Sequence, residues 1–203
     1  MKTIFLILCL LLSGLGAARA QRLQAGLRAG ATLTDYRFSP VRFGERTFSS
    51  GPMRAGYDVG FVVRWNLTSR LHLQSELDYG RSVYGIRTSR HADREIRIRA
   101  DRLTVPVEVG FQLGVVRLFG GAQFRVAQGG KSDKPDLLRI AFNDGDVAVM
   151  GGIGLNIRKF FIDLRASGYP RGRVWQHFTS QGETQRVMVS HDIVYGCSMG
   201  FFF

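Results

Sequence analysis

Few residues of this chain have the types and spacing that could do chemistry. Ser75 and His72 could serve as nucleophile and base, but "RLHLQSELDYG" (70–80) alternates apolar and polar residues with a period of two. In such a segment Ser75 and His72 point to opposite faces, and no pair forms. Glu108 and Asp163 could act as a carboxylate pair, yet arginines on neighbouring segments make a structural salt bridge the better assignment. His91, His177 and His191 lie in loops or at a segment end without metal-ligand spacing. Gly-rich phosphate loops, cysteine clusters and dinucleotide motifs are missing from the sequence. The reading therefore assigns no catalytic residue, no metal ligand and no cofactor. What stands out instead is charge of both signs recurring on one face of many short segments.

Those segments are strands. In "RLQAGLRAGATLT", Leu23, Ala25, Leu27, Ala29, Ala31 and Leu33 share one face, and Gln24, Gly26, Arg28, Gly30 and Thr32 the other. The same alternation runs through 57–67, 71–79, 103–113, 116–126, 147–157, 160–167 and 193–203. Each segment is about ten residues long, the length of a tilted strand crossing a bilayer. Connections alternate in length. Long ones fall near 36–55, 81–101, 128–145 and 169–190, and short ones at 66–70, 114–115 and 157–159. An up-and-down barrel with both termini on the periplasmic side sorts its loops in this way, with short turns in the periplasm and long loops outside. A soluble sandwich has no reason to do so. The expected fold is all-β: an eight-stranded antiparallel up-and-down transmembrane barrel.

Two places break the phase. Ile96 and Ile98 are out of step with Leu103 and Val105, which predicts a β-bulge or break near Ala100–Arg102. Leu138, Ile140 and Phe142 are out of step with Val147, which predicts a turn or kink at Asn143–Gly145. Pro106, inside a strand, removes one ladder donor and predicts a local kink.

In a membrane barrel the apolar face meets lipid, and the small and polar face fills the bore. The polar face is rich in glycine, which suits a narrow lumen. It also carries Arg28, Arg64, Arg117, Arg125 and Arg165 with Asp58, Glu76, Asp78, Glu108 and Asp163. Buried charge must be paired, so these ten residues are the expected lumen charge network. The competing reading is a solvated polar face with incidental charges. Tyr195, Met199, Phe201 and Phe203 form an outward apolar row that ends at the carboxylate.

"MKTIFLILCLLLSGLGAARA" has Lys2, an apolar run, and small residues closing at Ala20, the layout of a signal peptide cleaved before Gln21. The expected organisation is therefore residues 1–20 as signal peptide and 21–203 as one barrel domain. Cleavage removes Cys9 and leaves Cys197 alone, so no intrachain disulfide is expected. It also lowers the net charge from +12 to +10, mostly arginine. Export argues against nucleic acid as the partner of this charge. Residues 81–102 alone hold seven arginines. Arg90, Arg94 and Arg97 could contact lipopolysaccharide phosphates, for which guanidinium forks are suited; ordinary solvated loop charge fits them equally.

The segments "RLTVPVEVGFQLG" (102–114), "LFGGAQFRV" (118–126), "VMGGIGLNI" (149–157) and "FFIDLRASG" (160–168) resemble the PorT-like outer-membrane β-barrel domain family common in Bacteroidetes. The ending Tyr195–Phe203 likewise resembles the terminal signal read by the barrel-insertion machinery of Gram-negative bacteria. The resemblance implies an outer-membrane location, that machinery as a biogenesis partner, and no catalytic residue. Outer-membrane lipid is the expected surrounding, with lipopolysaccharide or an envelope protein as further partners. The expected function is a structural or protein/lipid interaction role without an open pore, because eight strands leave no channel once side chains fill them. The alternatives are an outer-membrane enzyme modifying lipid or lipopolysaccharide, and a soluble lipocalin-like barrel binding a small ligand.

Overall fold

The computed structural model describes residues 23–89, 95–135, 137–141, 147–168, 174–180 and 182–203. Residues 1–20, His91, Arg90, Arg94 and Asn143–Gly145 lie outside these. Twelve strands follow in chain order: β1 (Leu23–Phe38), β2 (Val41–Phe43), β3 (Arg46–Ser50), β4 (Arg54–Asn66), β5 (Leu71–Thr88), β6 (Glu95–Leu113), β7 (Val116–Ser132), β8 (Arg139–Ala141), β9 (Val147–Ile157), β10 (Phe160–Gly168), β11 (Val174–Ser180) and β12 (Glu183–Phe202). Eight of them, β1-β4-β5-β6-β7-β9-β10-β12, pair antiparallel with their neighbours, and β12 returns to β1 to close the ring. Closure leaves no sheet edge to be satisfied by solvent, which a spanning sheet requires. Turns at 67–70, 114–115 and 158–159 lie at the end that also holds Leu23 and Phe203.

Around this end the exterior is apolar. Leu27, Phe61, Leu77, Val109, Leu118, Ile153, Leu164 and Met199 all point outward and are exposed. Tyr57, Trp65, Tyr79, Phe160 and Tyr195 stand toward the ends of the band, where interfacial aromatics belong. A continuous girdle of this extent fits hydrocarbon and not water. A lipocalin-like barrel, polar outside and apolar within, has the reverse distribution.

The strands continue beyond the girdle, and the long connections are largely strand themselves. β5 and β6 stay paired out to Arg87 and Glu95. The β2–β3 hairpin joins β5 through Phe48 and Thr88, and β8 and β11 extend the sheet beside β12. In this outer half, Phe38, Phe43, Phe48, Ile86, Ile96, Ile98, Leu138, Ile140, Phe178, Val187 and Val189 face inward and form a buried cluster. Aromatic pairs tie it together: Phe38 and Phe178 at 5.0 Å between centroids and Tyr36 and Tyr84 at 4.7 Å. The polarity of the wall thus inverts along its length: apolar out and charged in across the girdle, apolar in and charged out above it.

That inversion corrects the expected break near Ala100–Arg102. β6 is one unbroken strand in which Ile96, Ile98, Ala100, Arg102, Thr104 and Glu108 all face the bore. The backbone phase is constant; the medium outside changes from hydrocarbon to water, so the apolar side chains switch face. The extra residue sits across the ladder, at Val126 of β7, because Leu103 pairs with Ala127 and Thr104 with Arg125. A second shift separates Arg37 from Phe38 on β1, opposite His191 and Val189. Pro106 does interrupt its ladder: pairing with β5 lapses at Glu76 and Leu77 and resumes in the same register at Ser75 and Asp78.

Because the outer cluster is packed like a soluble core, Phe178→Ala is expected to cost about 3–5 kcal/mol of unfolding free energy. Protease added to liposome-inserted barrel should then cut the outer strands before the girdle. Unchanged stability and unchanged outer protection would contradict this account of the upper half.

Candidate functional site: the bore and its two mouths

Inward residues of the girdle strands meet in tiers. Nearest the short turns, Val62, Phe161 and Phe202 form a small buried cluster. Gly200 faces it; a Cβ there would collide with the Phe161 ring, so the ring needs glycine opposite. The Arg64 guanidinium lies over Phe202 at 4.5 Å and over Phe161 at 5.6 Å.

One tier further in, Arg117 is fully buried and donates from Nη1 to Glu108 Oε1 at 3.0 Å and Gln74 Oε1 at 3.1 Å, and from Nη2 to Asp163 Oδ2 at 2.6 Å. His72 Nε2 is 3.3 Å from Arg117 Nη1, and Gly110 leaves the space this imidazole occupies. The next tier centres on Glu76. Its carboxylate accepts from Arg165 at 2.8 and 3.0 Å, from Arg28 at 3.0 Å and from Gln74 at 2.7 Å. Arg28 also reaches Asp58 at 3.1 Å and Asp78 at 2.5 Å. Bidentate guanidinium forks supply the planar geometry that makes such pairs worth their desolvation. Higher still, Arg125 pairs with Asp192 at 3.7 Å, and Tyr36 donates to Gln176 at 2.6 Å beneath the apolar cluster.

Eight of the ten residues expected in the charge network are connected: Arg28, Asp58, Glu76, Asp78, Glu108, Arg117, Asp163 and Arg165. Arg125 stands apart and takes Asp192, which sequence reasoning missed because Asp192 precedes the regular alternation of the last segment. Arg64 also stands apart. Its Nε donates to Gln74 at 2.7 Å, and among the described residues it has no ion-pair partner. Ser75 faces outward and His72 inward. His177 is exposed on β11 opposite Arg186. Among the described residues no group of three His, Cys, Asp or Glu could hold a metal ion.

Between the tiers the space is small. Two voids lined by Thr104, Arg102 and Gln123 measure about 20 Å³ each, water-sized. The one sizeable cavity of the bore among the described residues, about 490 Å³, opens at the short-turn end.

At the outer rim, charge faces outward. Arg81 grips Asp101 through Nε at 2.6 Å and Nη2 at 3.2 Å, and this holds the Asp101 carboxyl below the usual carboxylate range. Arg54 forks onto Glu95, which raises its guanidinium above its ordinary value. Arg97, Arg99 and Lys131 point outward on β6 and β7, with Arg99 directly opposite Lys131, and none has a side-chain ion pair among the described residues. Along β12 Tyr195, Met199 and Phe203 are exposed, from the outer part of the girdle down to the short-turn end, where Phe201 lies 5.0 Å from Phe160 between ring centroids. The last residue is held in place, Phe203 N donating to Ala25 O at 2.9 Å.

Removing Glu76 takes from the buried Arg165 its bidentate partner, leaving only Asp163 at 3.8 Å, and from Arg28 one of its three carboxylates. Glu76→Ala is therefore expected to lower the unfolding free energy by about 3–5 kcal/mol, measured by urea titration of the barrel in lipid. Arg81→Ala, at the exposed rim, should change it by less than about 1 kcal/mol.

Residues 17–167 match the model of a family described as the outer membrane protein beta-barrel domain. No curated protein sequence matches the chain. Solved structures similar to it include the outer membrane protein OprG from Pseudomonas aeruginosa, at 9% identity and TM-score 0.49 over 89% of this chain and 94% of that one. Ail, the attachment invasion locus protein of Yersinia pestis, solved with the heparin analogue sucrose octasulfate, is 11% identical with TM-score 0.45 over 90% and 99%. The outer membrane protein AlkL in DMPC bilayers is 10% identical with TM-score 0.46 over 92% and 94%. The match over most of the chain, together with a closed ring girdled by apolar side chains, makes this protein a member of the outer membrane protein β-barrel domain family, resident in the bacterial outer membrane.

Proposed function

We propose that the protein is a sealed, non-conducting and non-enzymatic barrel that works through its surfaces, as a structural and interaction element of the outer membrane. The observation that carries this reading is the filled bore: three tiers of paired side chains and an outer apolar cluster leave only water-sized gaps between them. The outward ladder Arg97, Arg99 and Lys131 sits just beyond the apolar girdle, at the height of outer-leaflet phosphates, and suits lipopolysaccharide. Arg90 and Arg94 are proposed to act with it. The motif around Leu103–Pro106 supports a finer placement in the PorT-like branch of Bacteroidetes. Residues 1–20 are proposed to be removed as a signal peptide, and Tyr195, Met199, Phe201 and Phe203 to be read by the barrel-insertion machinery.

Planar-bilayer recordings of the refolded protein should show no steady conductance; a large persistent current would overturn the sealed-barrel reading. Replacing Arg97, Arg99 and Lys131 by Gln should weaken lipopolysaccharide co-purification several-fold, with heat-modifiable folding unchanged. Undiminished co-purification would return these residues to ordinary solvated charge.

A further inference from the structure

The cavity at the short-turn end is lined by Gln24, Arg64, Asn66, Arg70, His72, Gln112, Asn156 and Arg158, with the 67–69 turn and Phe202. Among the described residues its lining holds three guanidinium groups and no carboxylate. This differs from the tiers above, where the buried Arg28, Arg117, Arg165 and Arg125 each meet an acid within salt-bridge distance; Arg102, higher in the bore, is the other buried arginine without an ion pair among the described residues. The nearest acids, Glu108 and Asp163, are already engaged by Arg117 one tier deeper.

Arg64 is the telling residue. It is only 4% exposed, and of its five N–H donors only Nε is hydrogen-bonded among the described residues, Nη2 being buried without a partner there. Phe161 and Phe202 support the face of its guanidinium, which fixes the plane of the fork without neutralising it. A buried cation left in this state is costly unless an anion completes it.

Arg158 adds an independent signal. It is the only non-glycine residue with positive φ among the described residues, at φ 58° in the turn between β9 and β10. The turn between β6 and β7 fills its own left-handed position with Gly114, at φ 62°. A side chain in that conformation costs the backbone about 1 kcal/mol relative to glycine. The strained position therefore carries an arginine at the mouth of a cavity that already holds two others. The amides of Gln24, Asn66, Gln112 and Asn156 surround the same space; Asn156 Oδ1 is itself buried without a partner, while its Nδ2 donates to Gln112.

We infer that the periplasmic mouth of the barrel is a binding site for a phosphate-bearing anion, held by Arg64 at the floor and by Arg70 and Arg158 at the rim. Guanidinium forks match the geometry of a tetrahedral oxyanion, and a volume near 490 Å³ admits a phosphate ester or a diphosphate together with its immediate substituent. Its source is either a soluble periplasmic phosphate compound or the headgroup of an inner-leaflet lipid. This site is distinct from the outer-rim ladder and does not depend on it.

The test is calorimetric titration of the full refolded barrel in zwitterionic micelles, with inorganic pyrophosphate as one probe and short-chain phosphatidic acid as the other. Short-chain phosphatidylcholine is the control. Saturable binding of pyrophosphate is expected if the source is soluble, and of phosphatidic acid alone if it is a lipid headgroup. Arg158→Gly should weaken that binding at least fivefold while leaving the melting temperature equal or higher, because glycine relieves the left-handed turn. Arg64→Gln should weaken it at least tenfold. The absence of saturable binding by the wild-type barrel to either probe would overturn the inference. So would affinities unchanged in both Arg158→Gly and Arg64→Gln.

Discussion

A closed hydrogen-bonded ring of eight strands imposes one constraint from which the rest of this molecule follows. The backbone is paired strand to strand around the ring, apart from the lapse beside Pro106 and the two register shifts, so side chains have only two destinations, in or out, and alternate between them. Eight strands make a bore just wide enough to be filled by the inward set. Whatever faces inward is removed from bulk water, and whatever faces outward meets the local medium. Sequence, packing and electrostatics are all answers to that division.

Within the girdle the inward set is ionic, and its stability depends on connection. Glu76, on β5, is the hub because it receives one arginine from β10, directly across the ring, and one from β1, two strands away, with Gln74 as a third donor. Its position on the ladder is itself affected by sequence: the missing N–H of Pro106 loosens the β5–β6 pairing just where Glu76 turns inward. Above the girdle the same geometry serves a different end. There water surrounds the wall, and the hydrophobic effect drives Phe48, Ile86, Ile98 and Phe178 into the centre. The two fillings close the passage by different physics, ion pairing below and apolar packing above. The chemistry left accessible lies at the two mouths, where arginine exceeds its carboxylate partners.

Much of this was legible in the chain because period two and loop length are local properties. Leu27, Phe61 and Met199 had to share a face with their neighbours whatever the tertiary arrangement, and the parity of short and long connections fixed which end holds the turns. Most of the network residues were visible for the same reason: a charge on the face opposite a row of leucines must point into the bore. What misled was the assumption of one external medium. Ile96 and Ile98 look out of phase with Val105 only if the outside is lipid along the whole strand; the unbroken β6 shows the phase holding and the medium changing.

The sequence by itself therefore determined the eight girdle strands, their alternation, their order around the ring and the ends at which they turn, but not the outer strands β2, β3, β8 and β11. Only the tertiary structure decided which inward charges meet. Arg64 and Arg117 are both inward arginines near the same mouth, yet one is surrounded by Glu108 and Asp163 and the other rests on two phenylalanine rings. That difference comes from the stagger of strands around the barrel, which sets the height of each side chain relative to residues tens of positions away. Alternation encodes the face of a residue, but its height in the bore is a property of the closed ring.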